Sequence, residues 1–498
     1  MTQSYNVLEQ KFKTLSAIED SAAILHWDAS TMMPKNSADS RGEQLATLSG
    51  IAHSNLISTE VSDLLDEAES HITRLNKWQQ ANLRLMRKRW LHASALDPEM
   101  VEAFSRAGSH CEIVWRTARQ EANYSLFAES FEPVLELTKE IATIKGETLG
   151  CSPYDALLDQ FDAGRTSQEI DDVFLQLEQF LPDFISHVCE NQQNQPDPLP
   201  LAGPFPKSQQ KDLGLQFMEA FGFDFNRGRL DTSTHPFCGG TADDVRITTR
   251  YNEDDFTSAL MGVLHETGHA LYELNLPKKW RGQPVGSALG MSMHESQSLL
   301  IEMQVCRSYD FLHYATPIIA KSFTRQQDLA FQADNLYRVF THVEPSFIRV
   351  DADEVTYPIH VIIRYNLEKA LISGELSIDE IPEAWNAAIK DMLGITVPND
   401  GVGCLQDIHW SDGSFGYFPT YTLGAMQAAQ FYDAARKQNP ELTANIRKGD
   451  FTLLTNWLKE NIHEQGSCLN TGELLENVTG KKLDVNLFKQ HLKNKYLS

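Results

Sequence analysis

Residues 244–274, DVRITTRYNEDDFTSALMGVLHETGHALYEL, contain a strand pattern followed directly by a helix pattern. Through Tyr251, β-branched and aromatic residues alternate with polar ones, which predicts a half-buried strand. The acidic run 252–255 favours a helix start, and apolar residues at three- and four-residue spacing predict a helix over 256–274. Glycine is costly inside a helix, so Gly268 predicts that something approaches the helix backbone closely there.

The same helical spacing of apolar residues covers much of the chain on either side. It runs through residues 1–190 and returns at 357–371 and 419–436, and a Gly-Gly pair at 239–240 predicts a turn before the strand. The expected fold class is therefore mainly α, a large helical fold with a small β-sheet near the 256–274 helix.

The polar stretch 191–200, NQQNQPDPLP, is the best candidate for a linker. It is too short to require independent domains on its two sides. We therefore predict one domain over residues 1–498, in which residues 1–190 form a helical lobe without motifs and residues 200–498 carry the functional motifs.

Acidic residues dominate the charge balance, since 68 Asp and Glu against 43 Lys and Arg give a formal net charge of −25. Such a surface argues against nucleic acid or an anionic membrane as the main partner. The sequence shows neither a secretory signal pattern nor an apolar run long enough for a membrane span. The seven scattered cysteines are typical of free thiols in a reducing cytoplasm, where we expect this protein, and they are poor candidates for metal ligands.

The sequence His265-Glu266-Thr267-Gly268-His269 places two histidines one helical turn apart on one face, where both can bind a single ion. The alternative is a pair of core histidines on a buried helix. A catalytic zinc needs three protein ligands and one open position for water. The segment 291–297, MSMHESQ, offers Glu295 or His294 as the third ligand, after a turn rich in proline and glycine.

Glu266 lies between the two histidines and is not needed as a ligand. It is placed to accept a proton from water whose pKa the metal lowers, and then to pass that proton to a leaving amine. This division of roles predicts Glu266 as the catalytic base.

Six spaced motifs lie in order between residues 235 and 410. They are HPF at 235–237, DVRIT at 244–248, HETGH at 265–269, HESQ at 294–297, IRVDAD at 348–353 and GCLQDIHW at 403–410. Together they resemble the motifs of the thermostable carboxypeptidase Taq family of zinc metallocarboxypeptidases. Residues 1–190 carry no such motif, so in that region the sequence resembles the family only in chain length and in its helical fold class.

The resemblance implies a nearly all-helical fold with a deep central groove and zinc at its floor, with cobalt as a possible substitute for zinc. It also implies a homodimer that removes single C-terminal residues from peptides with broad specificity. The glutamate of HESQ is the third ligand in this family, which selects Glu295 over His294.

A carboxypeptidase must recognise the free α-carboxylate of its substrate, and the planar fork of arginine suits that task best. Arg349, in the IRVDAD segment, is the first choice, as the resemblance suggests. The alternative is that Arg349 forms an ion pair with Asp351 or Asp353. His235 is a further candidate, as a residue that lines the substrate groove.

The oxyanion that forms during peptide hydrolysis needs hydrogen-bond donors beside the metal. We predict His409 and Tyr421 as these donors, with Tyr417 a weaker candidate, while core packing is the alternative for both tyrosines. We expect Asp244 and Arg246 to form a structural ion pair.

Two other functions fit part of this pattern. A zinc endopeptidase or dipeptidase on a similar helical fold would also carry HExxH with a downstream glutamate, but it would not need the carboxylate-binding arginine. A non-catalytic scaffold with structural zinc would be expected to offer four ligands, often cysteines, and it would not need Glu266.

Overall fold

The computed structural model describes residues 3–497 and shows a mainly helical protein with one small sheet, which confirms the predicted fold class. The strands are β1 Gly228–Thr232, β2 Phe237–Thr241 and β3 Asp244–Thr249. The α-helices are α1 Gln3–Thr31, α2 Ala38–Leu56, α3 Thr59–Ser70, α4 Lys77–Ser94, α5 Pro98–Glu121, α6 Tyr124–Leu149, α7 Pro153–Phe161, α8 Ser167–Glu178, α9 Leu181–Gln193, α10 Lys207–Ala220, α11 Thr257–Leu274, α12 Met291–Leu299, α13 Tyr309–Ser322, α14 Ala333–Phe340, α15 Tyr357–Ser373, α16 Ile381–Leu393, α17 Pro419–Gln438, α18 Leu442–Ile446, α19 Thr452–Asn461, α20 Thr471–Thr479 and α21 Val485–Tyr496.

The sheet has the strand order β1-β3-β2, with β1 parallel and β2 antiparallel to β3. The predicted turn at residues 239–240 is wrong, because both glycines lie within β2. Gly240 has a φ of 85°, and a Cβ there would collide with the carbonyl oxygen of Asp244. Glycine is therefore required by the close approach of β2 to β3 in this tight hairpin.

The helix α11 is covered on two sides, which fixes its position between the sheet and the helices that follow. Val263 and Ala270 pack against the sheet and α10, whereas Leu264 and Leu271 belong to a second core formed with α12 and α17. The Asp255 carboxylate accepts a hydrogen bond of 2.8 Å from the backbone N–H of Thr257 at the start of the helix. This is where the acidic run predicted that a helix begins.

Gly268 lies where α12 crosses α11. A Cβ at this position would lie 2.6 Å from the Cα of Ser298, so the predicted close approach is confirmed, and the approaching group is the α12 backbone. A second contact of this kind joins α12 to α17, because a Cβ on Gly424 would lie 2.8 Å from the Cβ of Glu295. Both contacts hold α12 tightly against its neighbours.

We expect Gly268→Ala to lower the free energy of unfolding by about 1–3 kcal/mol, the usual cost of overpacking a tight contact. The matched control is Gly262→Ala in the same helix, where an added Cβ has no neighbour within 4 Å. That control should raise stability by about 0.5–1 kcal/mol, since alanine favours helix more than glycine does. Urea denaturation of both variants measures the difference, and equal stability of the two would contradict the tight crossing.

The residues before 190 form only helices, α1–α9, with no strand in the described part, as the apolar spacing predicted. The largest core contains buried side chains from both predicted regions, with Phe131 and Leu157 packed in one cluster with Ile359 and Phe488. This shared core supports the prediction of a single domain, which stays a prediction.

Among residues 3–497, no helix combines the length and the apolar character that crossing a membrane requires. All seven cysteines are free thiols, as their scattered positions predicted.

Candidate metal centre and active site

Three predicted metal ligands converge between α11 and α12. The ligand atoms that His265, His269 and Glu295 offer all lie within 4.8 Å of one another. The Glu295 Oε2 atom is 3.4 Å from His269 Nε2 and 3.8 Å from His265 Nε2. The two histidines share a face because they lie one helical turn apart, and the tight crossing at Gly268 brings the glutamate to them.

These residues fit a zinc ion. A tetrahedral zinc with bonds of about 2.0–2.2 Å places its ligand atoms roughly 3.3–3.6 Å apart, close to the separations between the Glu295 oxygen and the two imidazoles. Two imidazoles and one carboxylate are also ligands that zinc prefers, and three protein ligands leave a position open for water. The side chains of His265 and His269 are 21% and 12% exposed, so the site is open to solvent.

The His265 ring nitrogen that is not offered to the metal, Nδ1, is hydrogen-bonded to a carboxylate. Its Nδ1 atom lies 2.9 Å from Glu302 Oε2, and the other oxygen of Glu302 accepts Arg307 Nη2 at 2.7 Å. Glu302 lies in a π-helix, Leu300–Cys306, which continues α12. Such wider turns are common at functional sites, and this one brings Glu302 to the ring and leaves Nε2 for the metal.

The Nδ1 atom of His269, in contrast, faces another histidine, His294. His294 Nδ1 lies 2.6 Å from His269 Nδ1, and His294 Nε2 lies 2.9 Å from Glu273 Oε1. When His269 presents its Nε2 lone pair to a metal, its Nδ1 proton is donated to His294, which in turn donates from Nε2 to Glu273. Both nitrogens of His294 are then engaged, so the geometry favours Glu295 as the third ligand.

The Glu266 side chain is on the same helix as the two histidines and is 7% exposed. Burial raises the pKa of Glu266 to about 7, against the opposing effect of His265. A carboxylate with a pKa near neutrality is suited to accept and then return a proton.

The Arg349 guanidinium is buried and is held by two partners. Its Nε and Nη2 atoms donate to Asp407 Oδ1 at 3.1 and 2.8 Å, and Nη1 donates to the Tyr357 hydroxyl at 2.8 Å. The alternative that Arg349 pairs with Asp351 or Asp353 is wrong, because its carboxylate partner is Asp407.

Asp407 also binds a second arginine. Arg364 Nε donates to Asp407 Oδ2 at 2.6 Å, and Arg364 Nη1 donates to the carbonyl oxygen of His360 at 2.7 Å. Burial alone would raise the pKa of Asp407, but the two guanidiniums hold it well below its usual range. Two buried cations thus share one carboxylate, which leaves one positive charge without a counter-charge among these three groups.

The predicted oxyanion donors form one aromatic cluster with Arg349. His409 Nε2 lies 3.3 Å from the Tyr421 hydroxyl, and the Tyr421 ring is 4.9 Å from the Arg349 guanidinium carbon. The Tyr417 ring packs edge-on against Tyr421 at 5.3 Å. Burial lowers the pKa of His409 to about 4 and raises that of Tyr421 to about 12, so both groups are neutral donors at pH 7.

Two further sequence predictions have different outcomes. The Arg246 guanidinium donates to both oxygens of Asp244 and stacks 4.3 Å from the Trp27 ring of α1, so this ion pair links the sheet to the first helix.

His235 is exposed in the loop between β1 and β2, and the hydrogen bonds shown there involve its backbone carbonyl. Its role in substrate binding stays a prediction.

Several residues around the site were not assigned a role from the sequence. Glu273 and Glu302 follow metal ligands by one and two helical turns, so helical spacing alone could have identified them. Tyr357 and Asp407 have no helical spacing to Arg349, because the chain folds back on itself to bring them there, although Asp407 lies in the GCLQDIHW motif.

A three-ligand metal site with a buried carboxylate beside it defines the class as a metal-dependent hydrolase. The sequence profile of the Carboxypeptidase Taq (M32) metallopeptidase family matches residues 7–496. The chain therefore belongs to this family, which confirms the predicted resemblance and makes it a metallocarboxypeptidase.

Relatives match the chain over its whole length. Carboxypeptidase 1 of Bacillus subtilis is 36% identical over 97% of this chain and 96% of its own, and thermostable carboxypeptidase 1 of Thermus thermophilus is 35% identical over 99% and 98%. The solved structure of Trypanosoma cruzi metallocarboxypeptidase 1 is 39% identical, covers 100% of both chains and has a TM-score of 0.98.

Proposed function

We propose that this enzyme uses zinc, bound by His265, His269 and Glu295, to release single C-terminal residues from peptides. The observation that carries this proposal is the buried Arg349 guanidinium, which keeps N–H groups unengaged by Asp407 and Tyr357 and packs on Tyr421, a residue that also feels the charge of Glu295. Buried donors without a partner are costly, and a free α-carboxylate would accept from them.

Arg349 is the arginine best placed to bind that carboxylate. A guanidinium has five N–H donors, and three of those of Arg349 are engaged by Asp407 and Tyr357. The remaining two can donate to the substrate as a pair. Arg364 is fully buried, so its role is to hold Asp407 in place.

When bound, zinc lowers the pKa of a water molecule and polarises the scissile carbonyl. Glu266 takes the proton from the attacking water and delivers it to the leaving amine. The neutral His409 and Tyr421 have one N–H and one O–H, and for both to donate to the oxyanion that develops, the 3.3 Å hydrogen bond between them is given up. Their protonated states at neutral pH follow from their shifted pKa values.

The arginine cluster also favours this proposal over a zinc endopeptidase, because an internal peptide bond offers no carboxylate to Arg349. A dipeptide does offer one, so release of single residues from longer peptides is the test that separates this proposal from a dipeptidase. A non-catalytic scaffold has no use for the buried carboxylate of Glu266. Broad specificity, a homodimeric assembly and a cytoplasmic location complete the proposal, the last supported by seven free thiols.

Removal of the metal should abolish activity, and added zinc or cobalt should restore it. The reason is that the three side chains form an open site suited to either ion. Release of free C-terminal amino acid from a peptide, before and after chelation, measures the effect. Full activity in protein shown by elemental analysis to lack metal would refute the proposal.

A further inference from the structure

A buried carboxylate on α15, that of Glu368, binds the loop that carries His409. Glu368 is fully buried, and its three hydrogen-bond donors are neutral. Its Oε1 atom accepts Trp410 Nε1 at 3.0 Å, while Oε2 accepts the Tyr154 hydroxyl at 2.8 Å and the Gly416 N–H at 2.9 Å. Two of these three donors are the ends of one short segment, 410–416.

Segment 410–416 is compact, and contacts other than those with Glu368 also hold it in place. The Ser414 N–H donates to the His409 carbonyl at 2.8 Å, which closes the loop on itself. Gly416 has a φ of 87°, and a Cβ there would lie 2.9 Å from the Leu158 nitrogen in α7. The loop is therefore clamped between α7 and Glu368, directly beside His409 and Tyr417.

We infer that Glu368 is a positioning residue that holds His409 at the angle needed to donate to the oxyanion. This inference rests on the proposed role of His409. Trp410 transmits the constraint, because its indole N–H is bonded to Glu368 and its backbone is joined to His409. Only a carboxylate suits three converging donors, since the amide of glutamine would place its own N–H groups against one of them.

A double-mutant cycle tests this inference with wild type, Glu368→Gln, His409→Ala and the double variant, all loaded with zinc. Glu368→Gln should lower kcat by about 10- to 100-fold with KM changed less than about threefold, because the oxyanion contact forms only in the transition state. In the His409→Ala background the same substitution should change kcat less than about threefold, since its target is gone. Full additivity, or no effect of either single change, would overturn the inference.

Trp410→Phe provides a second way to release the loop, and it replaces Glu368→Gln in the cycle if the latter does not fold. It removes the indole donor and keeps the carboxylate. A control is Tyr365→Phe, which removes a buried hydroxyl on α15, the helix of Glu368; that hydroxyl donates to Asp171 at 2.7 Å, and the ring that packs against Tyr154 is kept. Its kcat should stay within about twofold of wild type.

If the kcat of Trp410→Phe falls no more than that of the Tyr365→Phe control, Glu368 has a general structural role and the inference is wrong. The quantity compared in the cycle is kcat for whichever peptide bond the enzyme cleaves. If the enzyme proves to be an endopeptidase, the proposed function is refuted, but the cycle still tests whether Glu368 acts through His409.

Discussion

Replacement of Glu266 by glutamine should lower kcat at least ~10²-fold while the zinc content stays at the wild-type level. Glutamine has nearly the same size and leaves His265, His269 and Glu295 untouched, but it cannot accept the proton of the attacking water. Glu266 is 7% exposed, and its burial raises the pKa of the carboxyl above its ordinary value, which helps the group to hold the proton that it accepts.

Zinc content by elemental analysis and kcat for a peptide substrate should be measured on the same preparation. Glu273→Gln is a suitable control, since Glu273 is also on α11 but contacts His294 and not the water position. Its amide oxygen still accepts from His294, so its effect should be much smaller. Near-normal turnover in Glu266→Gln would remove Glu266 from the role of base.

Arg349→Ala should lower kcat/KM for a peptide with a free C-terminus by roughly 30- to 1000-fold, corresponding to about 2–4 kcal/mol of transition-state binding. An amidated peptide should be a poor substrate of the wild type, and the variant should lose most of the preference for acid over amide. Arg349→Lys should restore activity only in part, because it supplies a point charge and no fork.

The measurement is the ratio of kcat/KM for one peptide as free acid to kcat/KM for the same peptide as amide. Arg246→Ala is a control, because it breaks another arginine–aspartate pair, a partly exposed one on β3, and should leave the ratio unchanged. If Arg349→Ala also leaves the ratio unchanged, Arg349 is not the carboxylate anchor.

The local elements of this fold could be predicted from the sequence because each has a strong periodic pattern. The strand predicted over 244–251 is β3, the helix predicted over 256–274 is α11, and Gly268 has the close backbone contact that glycine implied. The strands β1 and β2 escaped prediction because they are short, and the glycines of β2 are typical of a turn.

The candidate site could be predicted as far as its motifs extend. The metal ligands follow from helical spacing and from the HESQ motif, and the structure brings all three together. The partners of Arg349 did not follow, since Asp407 reaches it only through tertiary folding, and local sequence favoured the nearer Asp351 and Asp353. Long-range pairing of this kind leaves no mark in the spacing of residues.

Zinc-dependent carboxypeptidase action is tested most directly by a mass-spectrometric time course with one defined peptide, as free acid and as amide, with the zinc-loaded enzyme and after chelation. We expect the free acid to give a ladder of products that share one N-terminus and lose one C-terminal residue at a time. We expect little cleavage of the amide and none after chelation. Internal fragments, equal cleavage of acid and amide, or an unchanged ladder in the metal-free enzyme would contradict it.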